Sequence, residues 1–371
     1  MKRYDVVIAG AGMAGASLAA EVAPHASVLL LEMEAQPGYH ATGRSVAFWT
    51  ESYGGPGVQP LTTASGPLLR SPDPEFSDRT FLKSRGAVHL GRAGDLEAMA
   101  EFTREYSPLG IELQPLGRPE LERHLAGLRP EWCHGIAEPS TADIDVAALH
   151  AAYLRAAKRA GAEFDCARKL VSARRGHGGW HLETSGGAVT AAILVNATGA
   201  WADPVARACG VGPVGIRPLQ RTVVQLRTNP APPQDMPLII DISGRFYFKA
   251  EGSGRLWLSP HDETPAEAGD VAPEEVAVAE AIARFEQVVD WKIEAVERKW
   301  AGLRSFAPDR LPVYGFDPLA TGFFWFAGQG GFGIQTSPAA AKLGAALLLQ
   351  TRPDPSVAAI DPAPYDPGRF E

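Results

Sequence analysis

The segment Tyr4-Asp5-Val6-Val7-Ile8-Ala9-Gly10-Ala11-Gly12-Met13-Ala14-Gly15 leaves a chain few ways to fold. Its β-branched start reads as a buried parallel strand, and the Ala- and Leu-rich residues 14–23 read as a helix with a small-residue inner face. The glycines between them have separate jobs. Gly10 permits the tight turn, Gly12 lets backbone N–H groups approach a pyrophosphate, and Gly15 lets the helix press on the strand. The helix start at Met13 and Ala14 adds partial positive charge where phosphates would sit. A second apolar run, Val28-Leu29-Leu30-Leu31, ends in Glu32. A carboxylate there can accept ribose hydroxyl hydrogen bonds and would repel a 2′-phosphate, so the unit reads as a site for FAD or NAD and disfavours NADP.

The next residues, Met33 to Ser45, form no second strand-and-helix alternation, as an NAD domain would. They make a polar, Gly-punctuated loop that could cross the dinucleotide and donate hydrogen bonds from Thr42, Arg44 and Ser45, which favours FAD.

The chain has 371 residues, enough for two domains with real cores. Its 35 Lys+Arg and 43 Asp+Glu give a net charge of −8 with no basic block, which argues against a nucleic-acid surface. Cys133, Cys166 and Cys209 are too scattered for a disulfide scaffold or paired metal ligands, so no metal site is expected and the compartment reads as reducing. The longest apolar stretch near the C-terminus is broken by Lys342, and no transmembrane segment or signal segment is expected. These features fit a soluble cytoplasmic protein.

Four stretches, taken together and in order, resemble the D-amino-acid oxidase (DAO) superfamily of FAD-dependent amine oxidoreductases. They are the opening glycines with Glu32 and Gly38-Tyr39-His40-Ala41-Thr42-Gly43-Arg44-Ser45; Val195-Asn196-Ala197-Thr198-Gly199-Ala200-Trp201; Trp300-Ala301-Gly302-Leu303-Arg304-Ser305-Phe306-Ala307-Pro308-Asp309; and Phe326-Ala327-Gly328-Gln329-Gly330-Gly331-Phe332-Gly333-Ile334-Gln335-Thr336-Ser337. Within that superfamily the sequence looks most like the bacterial D-arginine dehydrogenase type. The resemblance implies an α/β fold with a discontinuous Rossmann-like FAD-binding domain, residues 1–50, 140–215 and 300–371. Residues 51–139 and 216–299 would form an α+β substrate domain on an antiparallel sheet. In this second part, 238–241, 245–249 and 254–258 alternate like strands, and 274–285 reads as an amphipathic helix. Asp143 and Asp145 read as capping groups for the helix after them. The Pro-rich tail after Arg352 reads as irregular surface chain.

The same resemblance assigns the flavin contacts. Beside Gly10, Gly12, Met13, Ala14, Gly15 and Glu32, it adds Met33, Thr42, Gly43, Arg44, Ser45 and Ala47. From the later stretches it adds Thr198, Gly199, Trp201, Gly302 and Arg304. The closing loop supplies Gly330, Gly331, Phe332, Gly333, Ile334, Gln335 and Thr336, whose free N–H groups would face the flavin N1 and C2 carbonyl. Arg221 and Arg304 match arginines that bind a substrate carboxylate, a task suited to the planar guanidinium fork. Tyr53 and Tyr247 would line the pocket, with Gly331 and Phe332 approaching the substrate. His40 belongs to the flavin loop, and His89, His134 and His261 read as isolated, so no protein base is assigned. Hydride transfer from Cα of a neutral amine needs none.

Two positions depart from the D-arginine dehydrogenase type: Phe48 stands for a histidine and Ala87 for a glutamate that would pair with a cationic side chain. The expected substrate is therefore a D-amino acid with a neutral, apolar or aromatic side chain. Ser305 occupies the place where some relatives attach flavin through cysteine, so FAD is expected to be non-covalent. Oxidation of a 2-hydroxy acid, or service as a flavin subunit passing electrons to a partner, fits the same motifs. The electron acceptor, whether O2, quinone or dye, is open.

Overall fold

The computed structural model describes residues 2–371. Strand β1 (Lys2–Ala9) runs near the centre of an eight-stranded sheet, parallel to Val189–Asn196 on one side and to β2 (Val28–Leu31) on the other. The Glu163–Asp165 strand extends the parallel set beyond β2, and Phe323–Ala327 lies parallel beside the end of Val189–Asn196. An antiparallel hairpin, Leu170–Gly176 and Gly179–Thr184, takes the start of that same edge. β1 is a near-continuous apolar run because both its faces are covered. Val6 and Ile8 pack with Leu18 and Val22 of helix α1 (Met13–Val22) and with Leu343 of the Ser337–Leu349 helix. Val7 and Ala9 pack on the other side with Leu29, Leu194 and Trp325.

A second, ten-stranded sheet is antiparallel apart from one parallel pair, Leu238–Asp241 beside Ala87–Arg92. Its two longest strands, Arg217–Asn229 and Lys292–Phe306, pair along their whole length. Alternation divides its faces: Phe248 and Ala250 enter a core covered by Phe285 of the Glu275–Glu286 helix, while Tyr247 turns to a cluster with Phe48 and Ala87. The last residues of the Lys292–Phe306 strand, Ser305 and Phe306, pair on their other side with Gly330 and Gln329, the edge of this sheet. A three-stranded sheet of Phe48–Trp49, Ala142–Ile144 and Leu82–Ser84 sits apart from both. Among the described residues no helix is long and apolar enough to cross a membrane.

Two local expectations need correction. Asp145 caps the Val146–Arg159 helix, its carboxylate accepting from the Ala148 N–H at 2.9 Å. Asp143 does not cap. It accepts from Arg85 Nε and Lys249 Nζ, both at 2.6 Å, and so neutralises two cations whose side chains are under one-tenth exposed. Burial pulls the Lys249 ammonium below its ordinary pKa, which makes that carboxylate the more necessary. The tail is irregular but is not all surface, because Val357 and Tyr365 are buried and the Tyr365 hydroxyl donates to the Gly57 carbonyl at 2.8 Å. Proline removes N–H donors there without removing the apolar area that drives packing.

The two aspartates therefore separate in a stability measurement. Asp143→Ala strands two buried cations and should cost about 3–5 kcal/mol, whereas Asp145→Ala removes one cap at about 1 kcal/mol. Urea unfolding of both variants checks this, and equal losses would return Asp143 to a capping role.

Candidate active site

The first βα turn is built on close approach. Gly10 has φ +97°, and a Cβ there would lie 2.5 Å from the Ala197 carbonyl oxygen. A Cβ on Gly15 would lie 1.8 Å from the Gly10 oxygen, so Gly15 supports the turn from behind. No side chain caps α1, and its first N–H groups face an open cleft, apart from that of Met13, which donates to Thr42 Oγ1 at 3.0 Å. Glu32 closes the nucleotide end. Its carboxylate accepts from the Ala11 and Glu34 N–H groups, each at 3.0 Å. A carboxylate offers about four acceptor positions, so two remain for ribose hydroxyls.

The cleft is elongated and is lined by residues of both large sheets and of the loops between them. It runs from Glu32 and Met33, past Gly12, Ala14, Thr42 and Ser45, along Thr198, Gly199 and Trp201, to Gly302, Arg304, Gly330 and Gly331. Gly333 and Ile334 also border it. This length, the uncapped helix and the free acceptor capacity of Glu32 fit FAD.

Several residues expected to touch the cofactor stand behind this wall. Gly15 and Gly43 are packing positions, a Cβ on the latter lying 2.8 Å from the Gly38 oxygen. Ala47 packs with Met13 and Trp49, and Phe332 with Val58 and Phe306. Thr336 is fully buried, its hydroxyl donating to the Phe332 carbonyl. Gln335 spends its amide on the Tyr53 carbonyl and Thr62 hydroxyl and its oxygen on the Thr50 N–H. Arg44 lines the cleft, but its guanidinium bonds Asp270 and the Ala301 and Val271 carbonyls. A nearby carboxylate on another segment outcompetes the donor role expected for it.

Sequence reasoning missed two contributors. His150 donates from Nε2 to the Ala11 carbonyl at 2.9 Å and, with burial holding its pKa down, fixes the glycine turn as a neutral imidazole. It lies on a helix face whose spacing looks merely apolar. Arg168, oriented by Asp165 and Thr184, lines the nucleotide end. His261 is not isolated: its ring lies 5.7 Å from Tyr247 and 6.4 Å from Tyr53. His89 is likewise engaged, with the buried Glu138 at 3.1 Å.

At the far end of the cleft Arg221 lies opposite Gly302 in the strand register, and Arg304 lies opposite Leu219. The two guanidinium-bearing positions are thus diagonal neighbours on one sheet face. Arg221 is 4% exposed; Nε donates to the Asp262 carbonyl at 2.7 Å and Nη2 to Glu263 at 3.2 Å. Its Nη1 is buried with no partner. Burial, and then the positive charge of Arg304, lower the Arg221 pKa to about 10. Arg304 Nη1 donates to the Tyr53 hydroxyl at 2.5 Å. A Cβ on Gly331 would lie 2.7 Å from both Arg304 Nη1 and the Tyr53 oxygen, so a side chain there would push these two groups aside. Tyr247 lines the cleft directly, while Tyr53 stands behind Arg304 and borders the aromatic cluster.

Comparison with known proteins agrees with this architecture. Glycine oxidase of Geobacillus kaustophilus (strain HTA426) is 26% identical over 98% of this chain and 96% of its own. A crystal structure of glycine oxidase from that species superposes with a TM-score of 0.85 at 24% identity, covering 99% of this chain and 98% of the other. L-proline dehydrogenase from P. horikoshii shares the fold, with a TM-score of 0.86 at 20% identity over 100% of this chain and 98% of that one. FAD-dependent oxidoreductase domain-containing protein 1 of Xenopus laevis is 28% identical over 43% of this chain, and the match spans about a third (35%) of its length. The family model described as DAO, FAD dependent oxidoreductase, matches residues 5–347, and this chain belongs to that family.

Proposed function

We propose that this protein oxidises the Cα–N bond of an amino acid, D-configured and with a neutral apolar or aromatic side chain, to the imino acid. The observation that carries the reading is the pairing of Arg221 and Arg304 in one stretch of the cleft wall, with the Arg221 Nη1 donor left without a protein partner. A buried guanidinium donor without an acceptor is costly, and a substrate carboxylate supplies the missing one. FAD, when bound, supplies the two-electron acceptor for the hydride leaving Cα.

The chain's own residues define the rest. Arg221 and Arg304 hold the carboxylate, Tyr247 borders it, Tyr53 holds Arg304 from behind, and Gly331 leaves the Arg304 and Tyr53 head groups undisplaced. Among the described residues, the lining at the arginine end includes no carboxylate or imidazole, so the amine is expected to enter neutral rather than lose its proton to a protein base. The adjoining wall is lined by Val46, Val223 and Tyr247, with Phe48, Ala87 and Leu238 packed behind them. Phe48 meets Tyr53 at 5.6 Å and Tyr247 at 5.7 Å between ring centroids. A cationic side chain would be desolvated there without a counter-ion. D configuration and the link to the D-arginine dehydrogenase type rest on the motif resemblance.

Anaerobic mixing with D- and L-amino acids, glycine and 2-hydroxy acids, followed by flavin absorbance, tests the reading. Apolar and aromatic D-amino acids should bleach the flavin fastest. Preference for D-Arg or D-Lys, or bleaching by hydroxy acids alone, overturns it, and admitting air then distinguishes oxidase from dehydrogenase. Because a bound carboxylate favours charged Arg221, benzoate affinity should be level through neutral pH. It should fall as pH rises past about 10, where the free arginine loses its proton. A titration followed by flavin absorbance at each pH reads this out. Finally, with Ser305 in place of a cysteine, acid precipitation should release the yellow colour to the supernatant; colour retained in the pellet would show covalent attachment.

A further inference from the structure

Tyr53 sits on the turn that follows the Phe48–Trp49 strand, and that turn has an unusual anchor. Glu138, the last residue of the Trp132–Glu138 strand, is 0% exposed. Its Oε1 accepts from the backbone N–H groups of Glu51 at 3.0 Å and Ser52 at 3.3 Å. Its Oε2 accepts from the Ser52 hydroxyl at 2.5 Å and His89 Nε2 at 3.1 Å. Gln335 holds the other side of the turn through Thr50 and Tyr53. Two residues beyond Glu51, the Tyr53 hydroxyl meets Arg304.

We infer that Glu138 is a positioning residue for the carboxylate clamp: by holding the Glu51–Ser52 backbone it fixes where the Tyr53 hydroxyl meets Arg304. Four donors converge on one acceptor-only group, which is what an ionised carboxylate satisfies and an amide does not. Glutamine would turn its NH2 group toward at least one of those donors, and the turn would have to move. Glu138 does not line the cleft, so it acts on substrate only through the turn. A carboxylate serving merely to stabilise the sheet would show no dependence on the Tyr53 hydroxyl.

The inference rests on the reading of Arg221 and Arg304 as a carboxylate clamp, and a double-mutant cycle on the FAD-loaded protein tests the two separately. Benzoate is the probe, with binding followed by flavin absorbance in wild type, Glu138→Gln, Tyr53→Phe and the double variant. Glu138→Gln should weaken benzoate about tenfold, and should add little once the Tyr53 hydroxyl is gone. With an amino-acid substrate, KM should rise while kcat changes much less. Ser52→Ala, which removes one donor and leaves the carboxylate, should give a loss of about threefold with the same dependence on Tyr53, and it carries the comparison if Glu138→Gln does not fold. An equal loss in the Tyr53→Phe background, or no loss at all, overturns the inference. Wild-type protein that ignores benzoate removes the clamp reading itself, and this inference with it.

Discussion

Two like charges on adjacent strands are the constraint from which the rest of the site follows. Arg221 and Arg304 are diagonal neighbours in an antiparallel pair, about 7–8 Å apart at the backbone, Arg221 buried and Arg304 half-buried. Left alone they would repel and pay for desolvation, and the depressed pKa of Arg221 records both effects, burial foremost. The fold answers only in part. Glu263, the Asp262 carbonyl and the Tyr53 hydroxyl take up some donors, but Arg221 Nη1 is left over. A buried unsatisfied donor of this kind costs about 1–3 kcal/mol.

That constraint explains why the second sheet is not a separate module placed beside the first. The Arg304 strand, Lys292–Phe306, ends by pairing with Gln329–Gly330, and the next residue, Gly331, touches the Arg304 head group's space. Gln335, five residues after Gly330, reaches back to the Tyr53 turn. The Gly330–Gly331 loop and Arg304 are therefore tied together by strand pairing and by the Tyr53 turn. A shift at one displaces the other.

What could be read in the sequence was what depends on neighbours in sequence. Gly10, Gly12 and Gly15 announce a turn because their requirement is steric and local, and Glu32 announces itself by ending an apolar run. Arg221 and Arg304 look like ordinary strand arginines, and only motif resemblance singles them out. Asp143 was misread because its partners, Arg85 and Lys249, lie far off along the chain, while the helix it precedes lies next to it. The partner of the Arg44 guanidinium is equally hidden from local sequence, because Asp270 arrives from a distant loop. Nothing local marks Glu138 or His261, whose surroundings exist only once the second sheet has formed.

The register beside Ala87 shows how such distant contacts decide chemistry. Ala87 pairs directly with Glu138, and directly opposed residues of an antiparallel pair share a face. A carboxylate thus does project from the face on which Ala87 meets Phe48 and Tyr247. It is fully committed, however, to the Ser52 turn and His89, and is sealed from the cleft. To pair with a cationic substrate it would have to abandon four hydrogen bonds and release Tyr53 from Arg304. The acid behind this wall is therefore held by the Ser52 turn and His89, while the cluster residues that line the cleft, Val46, Val223 and Tyr247, are uncharged.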